Sequence, residues 1–121
     1  MSSSELSRSS LAAPLALLWH KHAATIRERV ATLVHAGEVL FGSGAISGSD
    51  RGLAESAAHK LSGTLGTFGS PRGSEIAAQI ESILCGDGAV DGEGIAAMRL
   101  LIADLKVSVE QLAHSYESIV S

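Results

Sequence analysis

Cysteine is almost missing from this chain of 121 residues. The single Cys85 excludes an internal disulfide and an all-cysteine metal site. A free thiol fits a reducing compartment such as the cytosol. Aromatic residues make up only 3% (Trp19, Phe41, Phe68 and Tyr116), so alanine, leucine, isoleucine and valine must fill the interior. That palette suits closely packed helices better than a β-sandwich, which draws on aromatic and β-branched side chains. Basic clusters are lacking as well. The net charge is −4 and no Lys/Arg run is interleaved with aromatics, which argues against a nucleic-acid partner, because phosphates would have to be neutralised. The apolar stretch from Leu11 to Trp19 is too short to span a membrane, and His20, Lys21 and His22 follow at once. It does not read as a signal peptide either: Glu5 offsets Arg8, and no small-residue cleavage site follows directly. A cytoplasmic protein without a membrane partner is the expectation. No internal repeat and no alternating strand pattern of useful length is present.

What remains is helical periodicity. Hydrophobic residues are 45% of the chain, an ordinary globular share, and the length suits one domain with one core. Met1 to Ser10 is serine-rich and polar and reads as a flexible tail, with the domain over 11–121. Pro14 suits the first turn of a helix. From there Trp19, Ala23, Ile26, Val30, Leu33 and Leu40 recur at helical steps, with Gly37 as an early end and Leu40 as the later one. Gly42 to Ser49 is a turn, after which Ser49 or Asp50 can cap a second helix. The stripe of that helix is Ala54, Ala58, Leu61, Leu65 and Phe68, although the glycines from Gly63 to Gly69 also permit irregular structure. Ser70 and Pro71 are a cap and first position for a third helix carrying Ile76, Ile80, Ile83 and Leu84. A glycine/aspartate-rich loop from Cys85 to Gly94 precedes a last helix with Ile95, Met98, Leu101, Ile102, Leu105, Val109, Leu112, Tyr116 and Ile119. Cys85 reads as a partly buried small side chain. The predicted fold is all-α, an antiparallel up-down-up-down four-helix bundle.

One face of the second helix departs from economy. At about 100° per residue, His59 falls roughly 140° from the centre of the apolar stripe, on the solvent side. Gly52, Gly63 and Gly66 fall at roughly 160°, 180° and 120° by the same geometry. Each glycine inside a helix costs about 1 kcal/mol relative to alanine, and an idle surface would more naturally carry Ala, Glu, Lys or Gln. Glycine on this side leaves the imidazole above a bare helix surface that another protein can approach. Glu55 and Ser62 are its helical neighbours and Lys60 follows it. A neutral imidazole is a nucleophile, but no acid or base completes a triad around it in sequence. Such a site can receive a reactive group without driving a reaction alone.

The run Ala58-His59-Lys60-Leu61-Ser62-Gly63-Thr64-Leu65-Gly66-Thr67-Phe68-Gly69, with Gly73-Ser74-Glu75 and Ile80-Glu81 after it, resembles histidine-containing phosphotransfer (HPt) domains, the intermediate carriers of two-component phosphorelays. The resemblance implies that His59 is the phospho-accepting residue, through Nε2. It implies partners in a response-regulator receiver domain and a hybrid histidine kinase; a monomer is the default expectation for the chain itself. It implies no cofactor on this chain, Mg²⁺ being expected on the receiver, and no self-contained catalysis. Gly63 would give the partner room and Lys60 would balance negative charge, with Glu55, Ser62 and Gly66 completing the phosphoryl- and partner-binding set. Ser62 stands where many members have lysine; a hydroxyl donates a hydrogen bond but brings no charge. Arg72 is a cation that could compensate. The alternative is an adaptor of the same fold that docks on a receiver or kinase without accepting phosphate; His59→Ala would leave its signalling intact.

Other signals carry less. His20 and His22 are two apart and point to different sides of a helix, whereas metallopeptidase helices use four-apart spacing. His35 and His114 have no partners at ligand spacing. Asp87, Asp91 and Glu93 lack the calcium-loop spacing, and Gly42-Ser43-Gly44 follows a helix, not a strand, so a dinucleotide loop is unsupported. Trp19 and the apolar first helix would form the seam if the chain paired.

Overall fold

Serine caps and glycine stops divide the chain into four helices. The computed structural model describes residues 3–86 and 88–120, with side chains over 13–86 and 88–119. Helix α1 spans Ser3–Ser43, α2 Gly48–Thr67, α3 Pro71–Leu84 and α4 Gly92–Val120, and no strand occurs among the described residues. Ser70 caps α3 as its sequence predicts, accepting from the Gly73 N–H at 3.0 Å, with Pro71 in the first turn. The α2 cap is Ser47 rather than Ser49 or Asp50: its Oγ accepts from the Asp50 N–H at 3.2 Å. Ile46, just before it, packs on the core and fixes where the chain enters the helix. That leaves Asp50 in the first turn, where its charge opposes the positive end of the helix dipole.

The first helix is longer than its apolar pattern suggests. It is helical from Ser3, where the sequence predicts a tail over 1–10, so Pro14 lies inside it and not in its first turn. The proline removes one backbone donor, while Leu15 and Ala16 beside it are strong helix formers. At the other end α1 passes through Gly37 to Ser43, and Gly44 turns the chain at φ 74° with its N–H donating to the Leu40 carbonyl at 2.8 Å. Gly37 is not a stop. A Cβ there would lie 2.8 Å from Ile102 Cδ1, so the missing side chain lets α4 approach α1.

Contacts run in opposite chain order between α2 and α3 and between α1 and α4, which makes those two pairs antiparallel. On α2 and α3, Arg51 meets the Leu84 carbonyl, His59 meets Glu81, and Ser62 meets Ser74. On α1 and α4, Trp19 stacks on Tyr116, Arg27 pairs with Glu110, and Phe41 lies under Arg99. α4 packs on α3 and α1, and α2 packs on α3 and α1, closing a four-membered ring. The interior holds Ile26, Leu33 and Leu40 from α1, and Ala54, Ala58, Leu61 and Leu65 from α2. Ile76, Ile80 and Leu84 from α3 and Met98, Ile102, Leu105 and Val109 from α4 complete it. Each fully buried aliphatic side chain is worth about 1.5–3 kcal/mol.

One end of the bundle is closed by aromatics. Trp19, Phe68 and Tyr116 lie with ring centroids 5.5–5.9 Å apart, and the Tyr116 hydroxyl donates to the Phe68 carbonyl at 2.6 Å. Burial pushes the Tyr116 phenol above its usual range. Trp19 is fully buried in this cluster and is not available as a seam between copies: edge-to-face packing on Phe68 draws it inward. Cys85 is exposed rather than partly buried: it is the extended C-cap just past the end of α3 at Leu84, no longer on the helix's buried stripe. Asp87 lies outside the described residues. No helix among the described residues is long and apolar enough to cross a membrane, and none of their His, Cys, Asp and Glu residues gather in a group of three or more that could hold a metal.

Candidate functional site

Helix α2 is anchored by Ala54, Ala58, Leu61 and Leu65, all fully buried. That anchoring turns His59 outward, and 74% of its side chain is exposed. The ring is not loose. Nδ1 lies 2.9 Å from Oε2 of Glu81 on α3. Glu81 follows the buried Ile80 by one residue, which sets it beside the core stripe, along the seam with α2. A carboxylate can only accept, so in the neutral ring the proton is on Nδ1 and the lone pair on Nε2. Nε2 has no partner among the described residues.

The seam itself is pinned one turn further along. Ser62 Oγ donates to the Ser74 carbonyl at 3.1 Å, and Ser74 Oγ donates to the Ser62 carbonyl at 2.7 Å. This reciprocal link fixes the register of α2 against α3 and therefore the spacing of His59 and Glu81. Gly73 permits the closeness: a Cβ there would lie 2.7 Å from Ser70 Oγ and 3.1 Å from Leu65 Cδ1, whereas one on Gly66 would stand in ordinary contact with Ser74 Oγ at 3.5 Å.

The residues singled out in sequence thus divide. Glu55 and Gly52 share a shallow cleft of about 290 Å³ with Ser56, His59 and Glu81. Gly52 and Gly63 are exposed, with nothing within 4 Å of where a Cβ would stand. Lys60 is exposed and makes no ion pair among the described residues. Gly66 is exposed but leans toward Ser74. Ser62 differs from the expectation: its one proton is given to the Ser74 carbonyl, so its hydroxyl is not free to donate to a phosphoryl group. Arg72 pairs with Asp104 of α4 at 3.6 Å, and lies nine residues before Glu81 on α3, about 13 Å along the axis. It does not stand in for a lysine beside the histidine.

Glu81 is the site residue that sequence reasoning missed. Its signal was present. Ser70 is the midpoint of the 22 residues separating it from His59, so a tight antiparallel turn there brings the two level.

The Hpt domain family model matches residues 18–113. This chain belongs to the Hpt domain family. No curated protein and no solved structure matches it. Hpt domains are helical phosphocarriers that work with receiver domains and kinases in phosphorelays. The match begins just before Trp19 and takes in all of α2 and α3, so His59, Glu81 and the serine link lie inside it.

Proposed function

We propose that this Hpt domain is a histidine phosphocarrier, with His59 Nε2 as the atom that bears the phosphoryl group. It takes that group from the aspartyl phosphate of one receiver domain, or from a kinase, and passes it to the aspartate of another. The reading rests on one observation: an exposed imidazole whose Nδ1 is held by Glu81, leaving Nε2 without a partner among the described residues.

In the loading step the Nε2 lone pair attacks phosphorus. The N–P bond forms as the bond from phosphorus to the aspartyl oxygen breaks, and that electron pair leaves on the carboxylate. The Nδ1 proton stays on the ring, shared with Glu81. The ring gains positive charge as it bonds to phosphorus, and the carboxylate opposite Nδ1 stabilises that charge. Unloading reverses the movements: a receiver carboxylate oxygen attacks phosphorus and the N–P pair returns to Nε2. Phosphoryl transfer asks for positioning and charge stabilisation more than covalent help. A bare face beside the imidazole suits that division of labour, with Mg²⁺ expected on the receiver. The open positions of Gly52 and Gly63 give the partner's backbone space near Nε2, and Lys60 supplies a cation on the same helix.

The test is chemical. Incubation with a phosphorylated receiver or a kinase should place an acid-labile, alkali-stable phosphate on the chain. His59→Gln should abolish it while melting within about 2 °C of the parent, since exposed substitutions away from packing shift stability little. Phosphate recovered on any other residue overturns the assignment.

A further inference from the structure

On the flank of α2 away from Glu81, α1 and α2 enclose a groove of about 310 Å³. Its rim is Leu18, His22, Thr25 and Arg29 from α1 and Thr64 and Thr67 from α2, over a floor that includes Phe68. None of its lining residues is acidic, in a chain whose net charge is −4. Arg29 is half-buried and has no ion pair among the described residues, whereas Arg27, two residues before it, pairs with Glu110 and Glu117. Lys60 lies one helical turn before Thr64 on the same side of α2. Further along the seam the charge reverses: Glu28, Asp50 and His35 line a second depression. The α1–α2 seam therefore carries Arg29 and no lining carboxylate at its Thr64–Thr67 end, and Glu28 and Asp50 at the other.

The groove and the cleft at His59 flank α2 on opposite sides and share no lining residue. Thr64 is about 7.5 Å along α2 from His59, with exposed Gly63 between them. A protein–protein contact of ordinary size covers about 800 Å² on each partner. A partner centred on His59 therefore covers the groove as well.

We infer that the groove receives an acidic side chain of the docking receiver domain, and that Arg29 governs which receivers are accepted and in which orientation. This inference rests on the carrier reading. The carboxylate would meet Arg29 with Lys60 nearby, and the opposite charge at the Asp50 end would disfavour the reversed orientation. Charge arranged in this way acts on encounter rate and partner choice more than on chemistry.

The experiment uses the full chain and the receiver domains of its source organism, each purified and offered in turn. The rate of phosphoryl transfer is followed against receiver concentration for the parent, Arg29→Glu and Arg29→Lys. Phosphoramidate, a small donor that needs no protein docking surface, phosphorylates His59 in parallel. The expected result is that Arg29→Glu raises the half-saturating receiver concentration about tenfold or more and flattens its dependence on salt. The maximal rate should stay within about twofold and Arg29→Lys should recover most of the loss. Arg29→Glu with the parent's half-saturation at low salt overturns the groove assignment and leaves the carrier reading standing. A loss shared by the phosphoramidate reaction overturns it too, because the effect then passes through His59 itself. A parent chain that takes phosphate from phosphoramidate but exchanges it with no receiver overturns the carrier reading and this inference together.

Discussion

Removing the Glu81 carboxylate isolates what the second helix contributes to the imidazole. Glu81 accepts the Nδ1 proton of His59 at 2.9 Å, with 74% of the histidine side chain and 30% of its own exposed. A hydrogen bond to a charged group is worth about 1.5–3 kcal/mol when sheltered. Solvent on one side reduces that here to about 1–1.5 kcal/mol. The interaction strengthens as the ring becomes cationic, so most of it belongs to the transition state. At about 1.4 kcal/mol per tenfold, Glu81→Ala should slow phosphorylation of His59 by phosphoramidate roughly five- to tenfold. Glu81→Gln keeps an acceptor without the charge and should lose about half as much on a logarithmic scale. Phosphorus NMR of the chain gives the rates. Nitrogen chemical shifts of the imidazole supply a second readout that a merely structural role would not move. The parent should show Nδ1–H, and Glu81→Ala a shift toward the Nε2–H tautomer. Parent-like rates and shifts in Glu81→Ala would refute the reasoning.

Further expectations follow from the geometry. Gly63→Ala fills open space on an exposed helical face, so it should stabilise the bundle by about 0.5–1 kcal/mol, seen as a higher melting temperature; a bulky Gly63→Trp should sharply slow transfer to a receiver by blocking its approach. Gly73→Val places branches against Leu65 and the Ser70 cap and should destabilise the fold by about 1–3 kcal/mol in denaturant melts. Tyr116 has its phenol raised by burial, so the folded state holds that proton more tightly than the unfolded one. Its stability contribution is therefore whole below the ordinary tyrosine pKa of about 10 and falls as pH rises beyond it. Tyr116→Phe should lose the alkaline fall, and the hydrogen bond to Phe68 with it, at a cost of about 1 kcal/mol at neutral pH.

Much of this architecture was legible in the residues. The period of Ala54, Ala58, Leu61, Leu65 and Phe68 placed every one of them in the core and by subtraction put His59 outside. Ser70 and Pro71 announced the start of α3. What periodicity cannot supply is the register between helices. Ile80 pointed inward on its own helix, but that Glu81 lies level with His59 depends on a turn only a few residues long. The same gap hid the Ser62–Ser74 link, and so Ser62 read as a free hydroxyl. Burial at the ends of the bundle was hidden for a related reason: whether Trp19 is covered depends on Phe68 and Tyr116, far from it in sequence, and whether Cys85 is covered depends on the direction of the loop after it. Competing caps were undecidable where Ser47, Ser49 and Asp50 all carry a side-chain oxygen.

The chain has one tryptophan, and it is sealed into the aromatic cluster at the end of the bundle. Its indole should therefore emit at short wavelength while the four helices are assembled, and move to longer wavelength when they part and water reaches the ring. The protein thus contains its own fluorophore for following the melts, and variants at His59 or Glu81 can be checked for intact assembly without any label.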